Sequence, residues 1–350
     1  MLFDKPLIVN SAGRNQWTDV NYNRSQAENG QAQSVVGAMS LAVNAGRSPE
    51  DLYREFDTET VERFRSDDGD TFINDLMPLS RSVNIGKLVY EFRRASDAGR
   101  VQTSMSGQIG VKMDQVEFLY DGTIVPIHDT GFSRNFREWN AGKSENFDAL
   151  VDDQRESVAA LRRDWADTIL DGCKDKDGNV IVLDGRSWSG MRNDARVAQI
   201  DLGGGGLNFD FTSNANTGTQ IKDAFITIRD TLWITNNCEK EVTYYVSREV
   251  AANLERKFAT AYDGPTIMQE LGNLQGVAAI KASSKLSGNE LMGFPLDKSA
   301  VRPIVGMGIN TVAMPRPVYN SNYEFVTWHA AGFQVVNDYA GRTCAIMAQA

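Results

Sequence analysis

At 350 residues and 41% hydrophobic content, the chain is long and apolar enough to bury a sizeable core, and length alone suggests about two globular units. Its 36 basic and 46 acidic residues leave a formal charge of -10, which argues against a broad basic surface for gripping nucleic acid, so any contact with DNA should be weak and local. Asp4 and Lys5 fall where a signal peptide needs its apolar stretch, and no run approaches the ~20 apolar residues of a membrane span, so the expectation is a protein that stays in the cytosol with no membrane contact. Cys173, Cys238 and Cys344 are too widely spaced for a disulfide framework or a CxxC metal pattern, and reduced structural thiols are expected.

In chain order, Gln31 to Asn44 carries Val35, Val36, Met39 and Val43 at helical spacing. Ser48-Pro49-Glu50-Asp51 has a capping serine, proline at the first helical position and acids in the first turn; another short helix is expected from Thr58. Nine acids face three arginines between Ser48 and Thr71, which reads as a solvated helical face. The period then changes to two. Leu88, Tyr90 and Phe92 alternate with polar neighbours up to Ser96-Asp97-Ala98-Gly99, predicting a long hairpin whose return arm is Arg100 to Gln108. Val116, Phe118 and Tyr120 alternate again before Asp121-Gly122, a favoured hairpin turn.

Ser144 to Asp171 is the clearest helix: Phe147, Leu150, Val151, Val158, Leu161, Trp165 and Ile169 follow 3 and 4 spacing, and Gly172 can end it after roughly 40 Å. Beyond it, Lys176 to Asn179 reads as a turn before a strand over Val180 to Leu183, and Gly203 to Gly206 as a loop. A helical stripe through Ile221, Ala224, Phe225, Ile228 and Leu232, a strand over Val242 to Val246 and a helix over Arg248 to Phe258 give α/β alternation. From Val301 the tail is strand-like, with Pro303, Pro315 and Pro317 limiting its pairing.

Motifs for chemistry are weak. His128 and His329 lie in neither HExxH nor a Cys-rich spacing; His128 and Asp129 point to opposite faces of a strand, and His329 reads as a packed histidine. Gly203 to Gly206 lacks the Lys-Ser or Lys-Thr of a phosphate loop, and Gly306-Met307-Gly308 lacks the third glycine of a dinucleotide fingerprint. Asp171, Asp175 and Asp177 resemble a calcium loop, but Cys173 occupies a ligand position, so a tight turn is expected. Ser104-Met105-Ser106-Gly107 lacks the leading glycine of a nucleophile elbow. Two acids suffice for a glycosidase, which keeps that class as the catalytic competitor, although Trp17, Trp139, Trp165, Trp188, Trp233 and Trp328 are scattered rather than gathered beside acids. The expectation is a non-enzymatic chain with no cofactor, no metal and no catalytic residue.

The order of parts resembles the tailed-bacteriophage major capsid family with the Hong Kong 97-type fold, an α+β architecture of N-terminal arm, E-loop hairpin, long spine helix with peripheral domain, and α/β axial domain. The strings Asn74 to Leu79 (NDLMPL), Ser104 to Gly107 (SMSG), Tyr120 to Pro126 (YDGTIVP) and Asn135 to Trp139 (NFREW) carry the likeness. The resemblance implies an arm over 1–81, the E-loop and flanking β arm over 82–128, a peripheral domain over 129–218 with its spine helix over 144–171, and an axial domain over 219–350. It further implies assembly of the chain with itself as hexamers and pentamers into the virion capsid, in the host cytoplasm. A portal, a decoration protein and packaged double-stranded DNA are the other implied partners. Arg93 to Ser106 contains no lysine, so the self-catalysed Lys to Asn cross-link of the founding relative is not expected, and the short N-terminal segment implies a separate scaffolding protein. In such a shell the hairpin residues Arg93, Arg94, Asp97 and Arg100 would meet a neighbour, with Asp148, Asp152, Asp153 and Glu156 of the spine helix, or the acids between Glu50 and Asp70, as candidate partners. An encapsulin-type compartment shell fits the same pattern.

Overall fold

In the computed structural model the described residues are 70–99, 101, 103–106, 110, 113–144, 149–259 and 264–350. The helices expected over Gln31 to Asn44, after Ser48 and from Thr58, together with Trp17 and the acids up to Asp68, lie outside them. Chain order gives α1 (Asp70–Leu76), β1 (Arg81–Ser82), β2 (Val89–Ala95), β3 (Phe118–Ile124), β4 (Ile127–Arg134), α2 (Phe136–Ser144) and α3 (Ala149–Asp171). There follow β5 (Val182–Leu183), β6 (Arg186–Ser187), β7 (Ala198–Asp201), α4 (Gly218–Asp230), β8 (Val242–Val246), α5 (Arg248–Leu254) and α6 (Ile267–Gly272). β9 (Val277–Ala282), β10 (Leu291–Phe294), β11 (Val301–Ala313), β12 (Tyr323–Val335) and β13 (Ile346–Gln349) complete it.

A five-stranded sheet, ordered β7-β13-β10-β8-β9, is covered on both faces, and alternation along its strands explains how. Tyr244 and Val246 of β8 join one apolar cluster with Phe225 and Ile228 of α4, while Tyr245 between them joins a second with Phe72 of α1, Trp165 and Ile169 of α3. In β13, Ile346 and Ala348 face the first cluster and Met347 the second. Thr217 caps α4 through a reciprocal bond with Gln220, and Thr266 caps α6 through Gln269 in the same way.

A four-stranded sheet, ordered β1-β11-β12-β4, carries the long helix α3, whose Trp165 stands edge-on to His329 of β12 at 6.4 Å. The helix ends where expected. Gly172 has φ +90° and a Cβ there would lie 2.6 Å from the Trp188 carbonyl oxygen, so glycine serves both the left-handed C-cap and the close approach. Asp175 accepts backbone bonds from Asp177 and Asn179, the expected tight turn.

Two hairpin expectations are corrected. β2 pairs not with residues 100–108 but with β3, in register from Val89↔Ile124 to Ala95↔Phe118, so the loop between them is 96–117. Asp121-Gly122 is consequently inside a strand, opposite Phe92 and Glu91, rather than at a turn. Gly122 is needed there because a Cβ would lie 2.6 Å from the Tyr90 carbonyl oxygen, a tertiary demand that mimics a turn signal in sequence. The longer loop also contains Lys112, which lies outside the described residues, so the absence of lysine holds for 93–106 and not for the whole loop.

Cys238 and Cys344 form a disulfide across 106 residues, which corrects the expectation of three reduced thiols; Cys173 alone is free, and it is buried. Spacing gives no hint of the pair, because it is the placing of β13 between β7 and β10 that brings Cys344, two residues before β13, to the segment between α4 and β8.

Candidate intersubunit surface

The β2–β3 ribbon is fixed at its base by a charge cluster built around Asp121. Arg94, Arg196 and Arg186 approach this carboxylate at 3.3, 3.6 and 3.9 Å, and Arg186 also pairs with Glu91 at 2.9 Å. Arg196 grips Asp194 with Nε and Nη2 at 2.8 and 2.7 Å and donates to the carbonyls of Gly122 and Ser187 at 2.7 and 2.6 Å. Its guanidinium also lies 5.5 Å from the Trp188 ring centre. Burial alone would raise the Asp194 pKa, yet the hydrogen bonds and charge of Arg196 outweigh it and hold the carboxyl below its usual range. The ribbon base is thus stapled to β6 and to the segment before β7.

From that base the ribbon runs on toward its loop. Ser96 and Glu117 close its last rung, Tyr339 donates to Glu117 at 2.8 Å, and beyond them Val101, Met105 and Met113 are almost wholly exposed at 94, 107 and 92%. Phe118, Leu119 and Tyr120 are exposed as well, giving an apolar surface of a kind that marks a contact site.

The hairpin residues singled out from the sequence divide. Arg93 is exposed and lies over the Phe118 ring at 6.0 Å, and Asp97 is exposed. Arg94 is only 18% exposed and bound to Asp121 and, at 3.5 Å, to the Asp338 carbonyl, so charge reversal there disturbs the subunit itself. Arg100 and Asp148 lie outside the described residues. Of the spine carboxylates, Asp153 is held by Arg134 at 2.5 and 2.9 Å, Glu156 by Arg163 at 2.7 Å, and Asp152 is half-buried.

Sequence reading treated the two histidines separately, but the sheet makes them register partners, His128↔His329, with ring centres 5.1 Å apart. His128 Nδ1 bonds Asp164 of α3 at 2.6 Å, at the edge of a cavity of about 340 Å³ also lined by Ile127, Thr130, Ala160 and Leu161. The hydrogen bond from His128 holds Asp164 below the carboxylate range, whereas burial depresses His329 to about 4. An unfolded chain therefore takes up the His329 proton first as pH falls, and stability is lost between about 6.5 and about 4. The expected loss is about 3 kcal/mol, read as a falling urea midpoint across that window, and His329→Gln should flatten the curve. An unchanged slope in the variant would remove His329 as its source.

Among the described residues no three His, Cys, Asp or Glu side chains are grouped to hold a metal, and no helix is long and apolar enough to cross a membrane. Residues 42–348 match DUF6260, described as a family of unknown function. The protein is a member of the DUF6260 family. No curated protein matches its sequence. Among solved structures, the DUF6260 chain is similar to the capsid of Myoviridae phage XM1 with a TM-score of 0.63 at 13% identity, over 86% of this chain and 98% of that one. It is also similar to the capsid of a native GTA particle (TM-score 0.53, 12% identity, 84% and 94% covered) and to a virus-like particle from Pyrococcus furiosus (TM-score 0.51, 12% identity, 81% and 92% covered). The fold is the Hong Kong 97-type capsid fold, as the order of parts in the sequence implied.

Proposed function

We propose that this DUF6260 protein is the major capsid protein of a tailed double-stranded DNA phage, a structural subunit that closes into an icosahedral head around the genome. The observation that carries the reading is the match to a phage capsid chain over 98% of that chain's length and 86% of this one. In this reading residues 1–81 are the arm, 82–128 the E-loop region, 129–218 the peripheral domain around α3, and 219–350 the axial domain. The exposed apolar loop between β2 and β3 lies on a neighbouring subunit, and Arg93, Asp97 and Arg100 contact that neighbour. Hexamers and pentamers form with a separate scaffolding protein; a portal and a decoration protein are the further partners, assembly is cytoplasmic, and no catalytic step is involved.

Closed symmetric assembly suits a chain with many neighbour contacts. Purified protein with its scaffold is expected to give closed particles in negative-stain micrographs, and monodisperse monomers at every salt and protein concentration would defeat the proposal. The likeness to a virus-like particle from Pyrococcus furiosus fits a shell without fixing its contents, which keeps a second reading, the encapsulin-type compartment shell that the sequence pattern also suits. Particles recovered from the native source separate the two, because a phage head holds nuclease-protected double-stranded DNA and a compartment shell holds protein.

A further inference from the structure

The disulfide joins two places that hydrogen bonds already hold together. Asn236 accepts from the Thr343 amide at 3.4 Å and donates to the Thr231 carbonyl at 2.8 Å. Asn237, in the amide orientation that satisfies both its ends, donates to Ile234 and accepts from Arg342 Nη1 at 2.8 Å. The loop before Cys344 is closed by its own bridge, Asn337↔Thr343, and Cys238 donates its amide to the Leu232 carbonyl at 3.0 Å. The two sulfur-bearing segments would therefore meet in the folded dithiol. Their settings differ: Cys238 is 4% exposed and Cys344 is half-buried, next in the chain but one to the Arg342 guanidinium. Cys173 is 1% exposed, and burial pushes its thiol up to about 12, so it supplies almost no thiolate to compete.

From this arrangement we infer that Cys344 and Cys238 form an ordered redox site, in which Cys344 is the attacking thiol and Cys238 the resolving one, closing a covalent staple in the already folded subunit. The co-reactant is a low-molecular-weight disulfide. The Cys344 thiolate attacks one of its sulfurs, forming a mixed disulfide and releasing one thiolate. Cys238 then loses its proton and attacks Cys344 Sγ, releasing the second. The two cysteine protons end on the two released thiols, so the protein loses two electrons and the small disulfide gains them.

The staple ties the residues just before β13, a four-residue strand inside the five-stranded sheet, to the segment between α4 and β8. Closing a loop of this length should raise the melting temperature by on the order of 5–15 °C without changing the fold.

The test uses the full-length protein, reduced and then exposed to glutathione disulfide, with adducts located by mass spectrometry. Wild type should close the 238–344 bond without a lasting adduct, Cys238→Ser should retain glutathione on Cys344, and Cys344→Ser should react at least tenfold more slowly. Circular dichroism of reduced wild type, which requires no variant, should match that of the oxidised protein. Equal adduct rates in the two variants, capture at Cys173, or failure of folded reduced wild type to close the bond would each overturn the assignment.

Discussion

Arg196→Ala is expected to destabilise the subunit by about 3–5 kcal/mol, since it leaves Asp194 charged and buried without its partner. Asp194 is 5% exposed on its side chain and Arg196 11%, so solvent can replace little of the lost interaction. The same substitution leaves the carbonyls of Gly122 and Ser187 without their donor and removes the cation from the Trp188 face. At about 2–4 °C per kcal/mol for a domain of this size, thermal melting should fall by roughly 10 °C. Arg196→Met with Asp194→Leu should cost less than Arg196→Ala alone, because the double change removes both charges and keeps most of the volume. A single variant that melts within about 2 °C of wild type would show that the cluster contributes little beyond packing.

Replacing residues 97–116 by a short Gly-Ser turn should leave a folded subunit that forms no closed particles. The strands β2 and β3 remain in register up to Ala95↔Phe118, and the charge cluster around Asp121 anchors their base, so the fold does not depend on the loop. What the change removes is the exposed apolar surface of Val101, Met105 and Met113, which gains a hydrophobic contribution only when a neighbour covers it. Circular dichroism should be nearly unchanged and sedimentation should show free subunits or small rings in place of shells. Normal particle yield from this variant would mean that the ribbon tip is not an intersubunit contact. In the proposed shell the contact would repeat at every subunit, so even about 1 kcal/mol per copy would weigh heavily on closure.

A charge reversal at Arg94 would act inside the subunit, unlike removal of the loop. A basic hairpin arm in an acidic chain suggests arginines reaching for another molecule, but Arg94 reaches Asp121 on the paired strand. That pairing required the register of β2 with β3, and the register was obscured by Asp121-Gly122. The glycine is there for the Tyr90 carbonyl rather than for a turn, and no local pattern distinguishes the two uses. The histidines show the same limit. His128 has Asp129 beside it but on the opposite face of its strand, and only the 128↔329 register brings the two rings together with His128 bonded to Asp164.

The sequence by itself determined the elements whose stabilising interactions are periodic and local. These include the long helix now seen as Ala149–Asp171 with its glycine stop, the helix over Gly218–Asp230 with its apolar stripe, and the strand Val242–Val246. Apolar spacing and capping residues act within a few positions of one another, so they can be read along the chain. Tertiary structure alone decided which strands pair across the 96–117 loop, which three arginines surround Asp121, and that Cys344 meets Cys238 after a separation of 106 residues. Those contacts depend on sheet order and on burial on both faces, and neither leaves a short-range signature in the sequence.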